Sequence, residues 1–245
     1  MQLSPLTKYL TYQVYQALLM VRKIGPDEEI SYLHQFRVAL RRVRSLQTLY
    51  LPDSFSFPPE LKTFLKTTNP LREFDIFLLS VDPNIHKHSL KELRSIRYQQ
   101  YETAVTKEFR LKLYTLLNTF YDSLIQSNPA IDEFQCEQMT QDHYRVGLER
   151  YFALSEKSTR KELHKVRIHF KTSRYALEFL NEAFLKNEAK KIDECKKIQD
   201  KLGNIHDLYN QVEWLKILCR EHPQKEFKQL LMERKKALKK IRGTS

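Results

Sequence analysis

The sequence feature that most constrains the fold is a stripe of histidine and basic residues that occurs twice at the same spacing. The first copy is His34, Arg37, Arg41 and Arg44, and the second copy is His164, Arg167, Lys171 and Arg174. In each copy the steps are three, four and three residues, which keep all four side chains on one side of an α-helix. The copies begin at positions 34 and 164, 130 residues apart, which is about half of the chain. This spacing predicts an internal duplication with one cationic helix in each half.

A second pair of segments extends the duplication beyond the stripes. The segment 72–74 (Arg-Glu-Phe) follows the first stripe much as the segment 206–208 (His-Asp-Leu) follows the second, at an offset of 134 residues. An internal repeat of this length indicates one structural unit used twice. We therefore predict a first helical bundle repeat over residues 1–128 and a second over 129–245.

The rest of the sequence has the pattern of successive helices. Gly25-Pro26 is expected to end the first helix, and Ser31 is a candidate N-cap for the helix that carries the first stripe. Pro70 is expected to break a helix that begins at Glu60. No stretch of five or more residues combines strand alternation with hairpin turns. The predicted fold is all-α, with two pseudo-symmetric four-helix bundles that form one unit over residues 1–245.

The composition indicates which partners such a fold would bind. A formal net charge of +12 with 41% hydrophobic residues describes a basic globular protein, which favours polyanionic partners. The chain has only four glycines and contains neither the G-x-x-x-x-G-K-[ST] nor the G-x-G-x-x-G nucleotide motif. Cys136, Cys195 and Cys219 are too far apart for a C-x-x-C metal pair and form no disulfide framework. Free thiols in a reducing cytoplasm are the simplest interpretation.

Several classes of function are not expected from the sequence. Residues 1–10 lack the pattern of a secretory signal, and no segment approaches the length of a transmembrane helix, so we expect a cytoplasmic protein without a membrane partner. The eight histidines include no H-E-x-x-H motif, and we expect neither a metal nor a cofactor. No nucleophile, metal-binding carboxylate cluster or nucleotide cradle accompanies the stripes, which predicts a binding protein and not an enzyme.

At these motifs the chain resembles the CHAD domain (conserved histidine α-helical domain) family. The family signature H-x-x-R-V-x-x-R-R-x-R is matched over 34–44, and H-x-x-R-x-x-x-K-x-x-R-Y is matched over 164–175. An R-D-x-D-V element appears at 72–76 with Glu for Asp and Ile for Val, and L-G-x-x-H-D is matched over 202–207. The resemblance implies two four-helix bundles flanking a basic channel that binds inorganic polyphosphate, with association with polyphosphate granules as a further expectation. The E-x-E-x-K signature of the triphosphatase domain that accompanies some members is absent, so that activity is not expected.

Polyphosphate carries a regular array of negative charges and no bases, so binding it requires several cations in register. Arginine pairs with phosphate oxygens through two parallel hydrogen bonds, and lysine supplies a point charge. The predicted polyphosphate-binding residues are His34, Arg37, Arg41, Arg42, Arg44, Arg72, His164, Arg167, Lys171, Arg174, Lys201 and His206. Nucleic acid is the alternative polyanion, but the aromatic residues mostly occupy helical core positions and no recognised nucleic-acid motif is present.

Several of these residues have a second interpretation. Each stripe also fits a solvated helix face whose long side chains cover apolar neighbours. His34 and His164 would either donate to phosphate or orient a neighbouring arginine. Arg72 would either pair with Asp75 or reach the channel, and 206–207 would form either a packing pair or a ligand contact. The basic segment 233–242 would be either a solvated face or an outer contact.

Overall fold

The computed structural model describes residues 2–51, 56–84 and 86–243. Within these ranges the chain forms ten helices and no strand, which confirms the all-α prediction. The helices are α1 (Pro5–Val21), α2 (Ile30–Tyr50), α3 (Pro59–Thr67), α4 (Asn69–Leu79), α5 (Lys87–Ala104), α6 (Lys107–Ser127), α7 (Glu133–Phe152), α8 (Arg160–Phe184), α9 (Ala189–Glu221) and α10 (Lys225–Arg242).

Some helix boundaries follow from local capping chemistry. The hydroxyl of Ser4 accepts a hydrogen bond from the N–H of Thr7 at 3.0 Å, and a proline occupies the first position of α1. α8 begins with a capping box, in which Thr159 and Glu162 satisfy each other's backbone N–H groups. The predicted break before Pro70 is confirmed, because α3 ends at Thr67 and α4 starts at Asn69.

The predicted cap of α2 is wrong. Glu29 occupies the N-cap position, and Ser31 lies inside the first turn of the helix. The Ser31 hydroxyl donates to the carboxylate of Glu29 at 3.2 Å and accepts no backbone N–H. The helix therefore starts two residues earlier than the capping preference of serine suggested.

Among the described residues, three apolar clusters pack the helices together. The largest is built mainly from α1, α2, α3, α6 and α8 and includes the buried rings of Phe36 and Phe179. A second cluster joins α4 and α5 to α9 and α10, and a third joins α7 to α8 and α9. The first two clusters both combine helices from before and after residue 128. The division into repeats at residue 128 stays a prediction.

Helices α2 and α8 lie against each other, so the two stripes come together. The hydroxyl of Thr172 on α8 donates to that of Ser45 on α2 at 3.4 Å, and Arg42 on α2 pairs with Glu178 on α8 at 2.9 Å. No helix among the described residues is both long and apolar enough to cross a bilayer.

A buried ion pair fixes α4 against α5 and the connection from α1 to α2. Asp75 has no exposed surface, and its carboxylate accepts hydrogen bonds from Nε of Arg97 at 2.9 Å and from the hydroxyl of Tyr101 at 2.6 Å. Arg97 also donates to the carbonyl of Pro26 at 2.6 Å. The partner of Asp75 is thus Arg97, and the alternative pairing of Asp75 with Arg72 is not formed.

Asp75→Asn is expected to lower the free energy of unfolding by about 3 kcal/mol or more, because it leaves the buried Arg97 guanidinium without a counter-charge. Urea denaturation monitored by circular dichroism measures this change. The control is Asp142→Asn, since Asp142 forms an exposed pair with Arg145 at 3.4 Å and should change stability by less than about 1 kcal/mol. Equal effects of the two substitutions would contradict the role given to the buried pair.

Candidate functional site

A cavity of about 800 Å³ lies where α2, α3, α4, α7, α8 and α9 meet. Its charged lining is strongly biased toward cations, since seven arginine and lysine side chains face a single carboxylate, that of Glu73. The lining cations are Arg37, Arg41, Arg44, Lys62, Lys66, Arg167 and Lys171. A concave surface of one charge sign concentrates the electrostatic field and attracts polyanions.

The structure brings seven of the predicted binding residues into this cavity and leaves five outside its lining. Those in the lining are Arg37, Arg41, Arg44, His164, Arg167, Lys171 and His206. Those outside the lining are His34, Arg42, Arg72, Arg174 and Lys201. His34 and Lys201 are exposed and Arg72 is half-buried. A ligand role for these five residues stays a prediction.

Arg42 joins the two stripe helices, and Arg174 shares its partner on α8. Both guanidinium groups pair with the carboxylate of Glu178, at 2.9 Å and 3.3 Å. Both also lie over the ring of Tyr175, at 5.6 Å and 5.2 Å from its centroid. Because Tyr175 lines the cavity, the cluster of Arg42, Arg174, Glu178 and Tyr175 packs directly behind the site.

Three stripe cations that line the cavity differ from Arg42 and Arg174 in their pairing. Among the described residues, Arg41, Arg167 and Lys171 form no ion pair. All three are half-buried, so solvent screens their mutual repulsion less than at an open surface. The unliganded cavity therefore holds positive charge that the nearby carboxylates Glu73 and Asp207 compensate only in part.

Lys171 experiences this repulsion most directly. Burial, followed by the charges of Arg167 and Arg41, lowers the pKa of Lys171 to about 6, and the nearby Asp207 offsets only part of the effect. Burial also lowers the pKa of the Arg41 and Arg167 guanidinium groups. A bound polyanion would supply the missing counter-charge and favour the protonated ammonium.

Two histidines from different motifs, the second stripe and the L-G-x-x-H-D element, meet in the cavity. The rings of His164 and His206 are tilted, with centroids 4.9 Å apart. Burial, then the charge of Arg167, lowers the pKa of His206 to about 3, so this ring is neutral at pH 7. The amide of Asn210 donates to Nε2 of His206 at 3.3 Å, and the amide oxygen of Asn210 accepts from Arg160, which fixes the amide orientation. The proton of His206 thus lies on Nδ1, a buried atom that finds no partner among the residues the structure describes.

Arg37 has a different environment from the other stripe cations. It is only 2% exposed, and it donates to the carbonyl of Leu65 at 2.5 Å, to the hydroxyl of Thr68 and to the amide oxygen of Asn69. These acceptors lie at the junction of α3 and α4. Arg37 connects α2 to that junction, and its role as a ligand contact stays a prediction.

The contacts of Arg37 and Arg167 agree with the internal duplication. Arg37 meets Asn69, and Arg167 lies against Gly203, where a Cβ atom would be 3.4 Å from Nε of the arginine. The arginines are 130 residues apart and their partners are 134 residues apart, the two offsets found in the sequence. Glycine at 203 leaves this face of α9 open to the Arg167 guanidinium.

Sequence reasoning missed several residues of the lining, notably Lys62, Lys66 and His143. The two lysines are four residues apart on α3, a spacing that places them on one side of a helix, but no repeat of the pattern drew attention to them. His143 stacks on His169 with a centroid distance of 3.7 Å, and its Nδ1 bonds with the hydroxyl of Ser173 at 2.9 Å. That position depends on how α7 packs on α8.

The basic end of α10 does not line the cavity. Arg234 donates to the carbonyl of Ser80 at 2.6 Å, and Arg242 donates to the hydroxyl of Tyr209 at 2.7 Å. These two arginines attach α10 to the rest of the protein. In the described ranges no group of three histidine, cysteine, aspartate or glutamate side chains could hold a metal ion.

We compared the chain with known protein families and solved structures. The family model of the CHAD domain matches residues 9–216. The crystal structure of the CHAD domain from the plant Ricinus communis is similar with a TM-score of 0.68 and 21% sequence identity, covering 99% of this chain and 86% of that chain. At this identity the likeness shows the fold. No curated protein matches the chain.

Lys171→Met is expected to stabilise the unliganded protein. The pKa of Lys171 is about 6 in the folded chain against an ordinary value of 10.5, so the unfolded chain binds more protons between these values. Stability of the wild type therefore rises with pH across that window. The melting temperature of the variant should be higher than that of the wild type. The difference should be largest near pH 6 to 7 and smallest near pH 10.

Thermal denaturation at several pH values measures this difference. Lys165→Met on the same helix is the control, because Lys165 is exposed and its replacement should change stability by less than about 0.5 kcal/mol. A Lys171→Met variant that melts below the wild type at pH 7 would show that the cavity does not carry the repulsion described.

Proposed function

This chain belongs to the CHAD domain family, and we propose that its cationic cavity binds inorganic polyphosphate without hydrolysing it. The family is associated with polyphosphate. The observation that carries the proposal is the set of half-buried cations from both stripes, Arg41, Arg167 and Lys171. They line one cavity and have no ion-pair partner in the part of the chain that the structure describes. Such a cavity fits a ligand that brings several negative charges at short, regular intervals.

The chemistry of the lining suits phosphate groups in a chain. Guanidinium groups bond two phosphate oxygens at once, and the Lys171 ammonium group adds a point charge. The neutral ring of His206 offers an N–H donor and no charge. Binding also relieves the repulsion among the cavity cations, so part of the affinity comes from the unfavourable state of the empty site.

The position of the aromatic residues favours polyphosphate over nucleic acid. Proteins that bind single-stranded nucleic acid stack its bases on accessible aromatic rings. The exposed rings of Tyr12, Tyr15, Phe134 and Phe152 all lie outside the cavity lining. Tyr175 does line the cavity, but its ring is buried and is already covered by Arg42 and Arg174.

The proposal includes a cytoplasmic location with association with polyphosphate granules. The cysteines Cys136, Cys195 and Cys219 are all free thiols, two of them buried. Unpaired thiols of this kind are typical of reducing compartments. Fluorescence imaging of the tagged protein beside a polyphosphate stain tests this part of the proposal.

Arg41→Ala/Lys171→Ala is expected to weaken binding of long-chain polyphosphate by about 30- to 100-fold, because each replaced side chain supplies a charge-assisted contact. Isothermal titration calorimetry at fixed salt measures the affinity. The titration is then repeated at several salt concentrations. The slope of log K against log salt concentration should be shallower by about 2 for the double variant than for the wild type. The charge-matched control Lys91→Ala/Arg94→Ala removes two exposed cations of α5 and should change affinity by less than threefold.

RNA at equal phosphate concentration serves as the competitor in the same titration. Weak displacement of polyphosphate is expected. If RNA displaces bound polyphosphate as effectively as free polyphosphate does, the function is general polyanion binding. Unchanged affinity in a folded Arg41→Ala/Lys171→Ala variant would overturn the proposed site.

Purified protein incubated with polyphosphate and Mg²⁺ is expected to release no orthophosphate above the rate of the buffer. A colorimetric phosphate assay and gel electrophoresis of the polyphosphate measure release and chain length. Release that the Arg41→Ala/Lys171→Ala variant abolishes would show that the cavity is an active site.

A further inference from the structure

We propose that α3 forms a third cationic wall of the binding site, in which Lys62 and Lys66 contact the ligand beside the two stripes. This inference rests on the proposed function, because it concerns the same cavity. Neither lysine belongs to a repeated motif of the sequence. Both nevertheless line the cavity together with the stripe cations.

The packing of α3 determines which way its lysines face. The helix has nine residues, and its buried side chains are Leu61, Phe64 and Leu65. The ring of Phe64 meets that of Phe109 on α6 edge to face, with centroids 4.7 Å apart. Residues 62 and 66 are one helical turn apart, so they lie together on a side that the apolar residues leave to the cavity.

Arg37 fixes this helix at its end. The carbonyl of Leu65 lies in the last turn of α3, where backbone carbonyls lack helical partners, and Arg37 donates to it at 2.5 Å. A cation at this position also interacts favourably with the negative end of the helix dipole. A short helix held by a buried arginine keeps Lys66, the next residue, at a defined place beside the stripe of α2.

The α3 lysines have no competing partner. Among the described residues, neither ammonium group forms an ion pair or a side-chain hydrogen bond. The lining contains only one carboxylate, Glu73, whose pKa is raised by burial while the charges of Arg160 and Arg37 oppose that rise. Lys62 and Lys66 therefore add to the positive field of the cavity.

The half-buried and the exposed cations contact different parts of the ligand. Arg41, Arg167 and Lys171 are half-buried, whereas Lys62 and Lys66 are exposed at the cavity margin. A short phosphate oligomer is satisfied by the deeper cations alone. A long chain held at those cations continues outward along α3 and meets the two lysines.

The test compares Lys62→Ala/Lys66→Ala with the wild type by calorimetric titration of long-chain polyphosphate and of tripolyphosphate. We expect long-chain affinity to fall about tenfold, which corresponds to two exposed ammonium contacts. The slope of log K against log salt should become shallower by about 2 for the long chain. Affinity for tripolyphosphate should change by less than about threefold. Lys62→Arg/Lys66→Arg, which keeps both charges, should restore long-chain affinity.

The matched control is Lys87→Ala/Lys91→Ala, which removes two exposed lysines at the same spacing on α5, outside the cavity lining. Its long-chain affinity should stay within about twofold of the wild type. If Lys62→Ala/Lys66→Ala behaves like this control while Arg41→Ala/Lys171→Ala loses binding, the inference about α3 is overturned and the proposed function stands. If Arg41→Ala/Lys171→Ala binds like the wild type, the proposed function fails, and the role of α3 in that site fails with it.

Discussion

The site depends on one carboxylate that lies behind it. Glu178 on α8 receives Arg42 from α2 and Arg174 from its own helix, and so it holds together two helices whose cavity sides repel each other. The three groups are partly shielded from solvent, where an ion pair is screened less than at the surface. This contact opposes the repulsion between Arg41 on α2 and Lys171 on α8. The fold thus separates paired cations that hold the structure from unpaired cations that face the ligand.

This separation explains why the empty site is unfavourable. Burial, and then the charges of Arg167 and Arg41, lower the pKa of Lys171, and this unfavourable environment weakens the unliganded protein. The hydrophobic clusters supply the stability that offsets this cost. Binding sites often hold strained or repelling groups at the expense of stability. In a polyanion site the ligand itself removes the repulsion, so the same charges that weaken the free protein strengthen the complex.

Sequence patterns were sufficient for the helices and for the principal cations, because both depend on local periodicity. The three, four, three spacing placed Arg41, Arg167 and Lys171 on one side of their helices, and the structure brings them to one cavity. The spacing could not show which stripe residues bond to other residues of the protein and not to a ligand. The acceptor of Arg37 on α3 lies 28 residues away, and Arg42 and Glu178 are 136 residues apart. Such partners follow from packing between helices. The same limit hid the α3 lysines, which reach the cavity only through the packing of α3 on α6.

The cluster that joins α4 and α5 to α9 and α10 has a consequence for how the chain is made. On the ribosome the rings of Phe74 and Phe77 emerge well before Leu215 and Phe227, their partners in that cluster. The nascent chain therefore carries an uncovered apolar surface for more than a hundred residues of synthesis, a state that favours chaperone binding and aggregation. Contacts between segments so distant also slow folding. Because this cluster needs residues from both ends of the chain, its assembly is a late event.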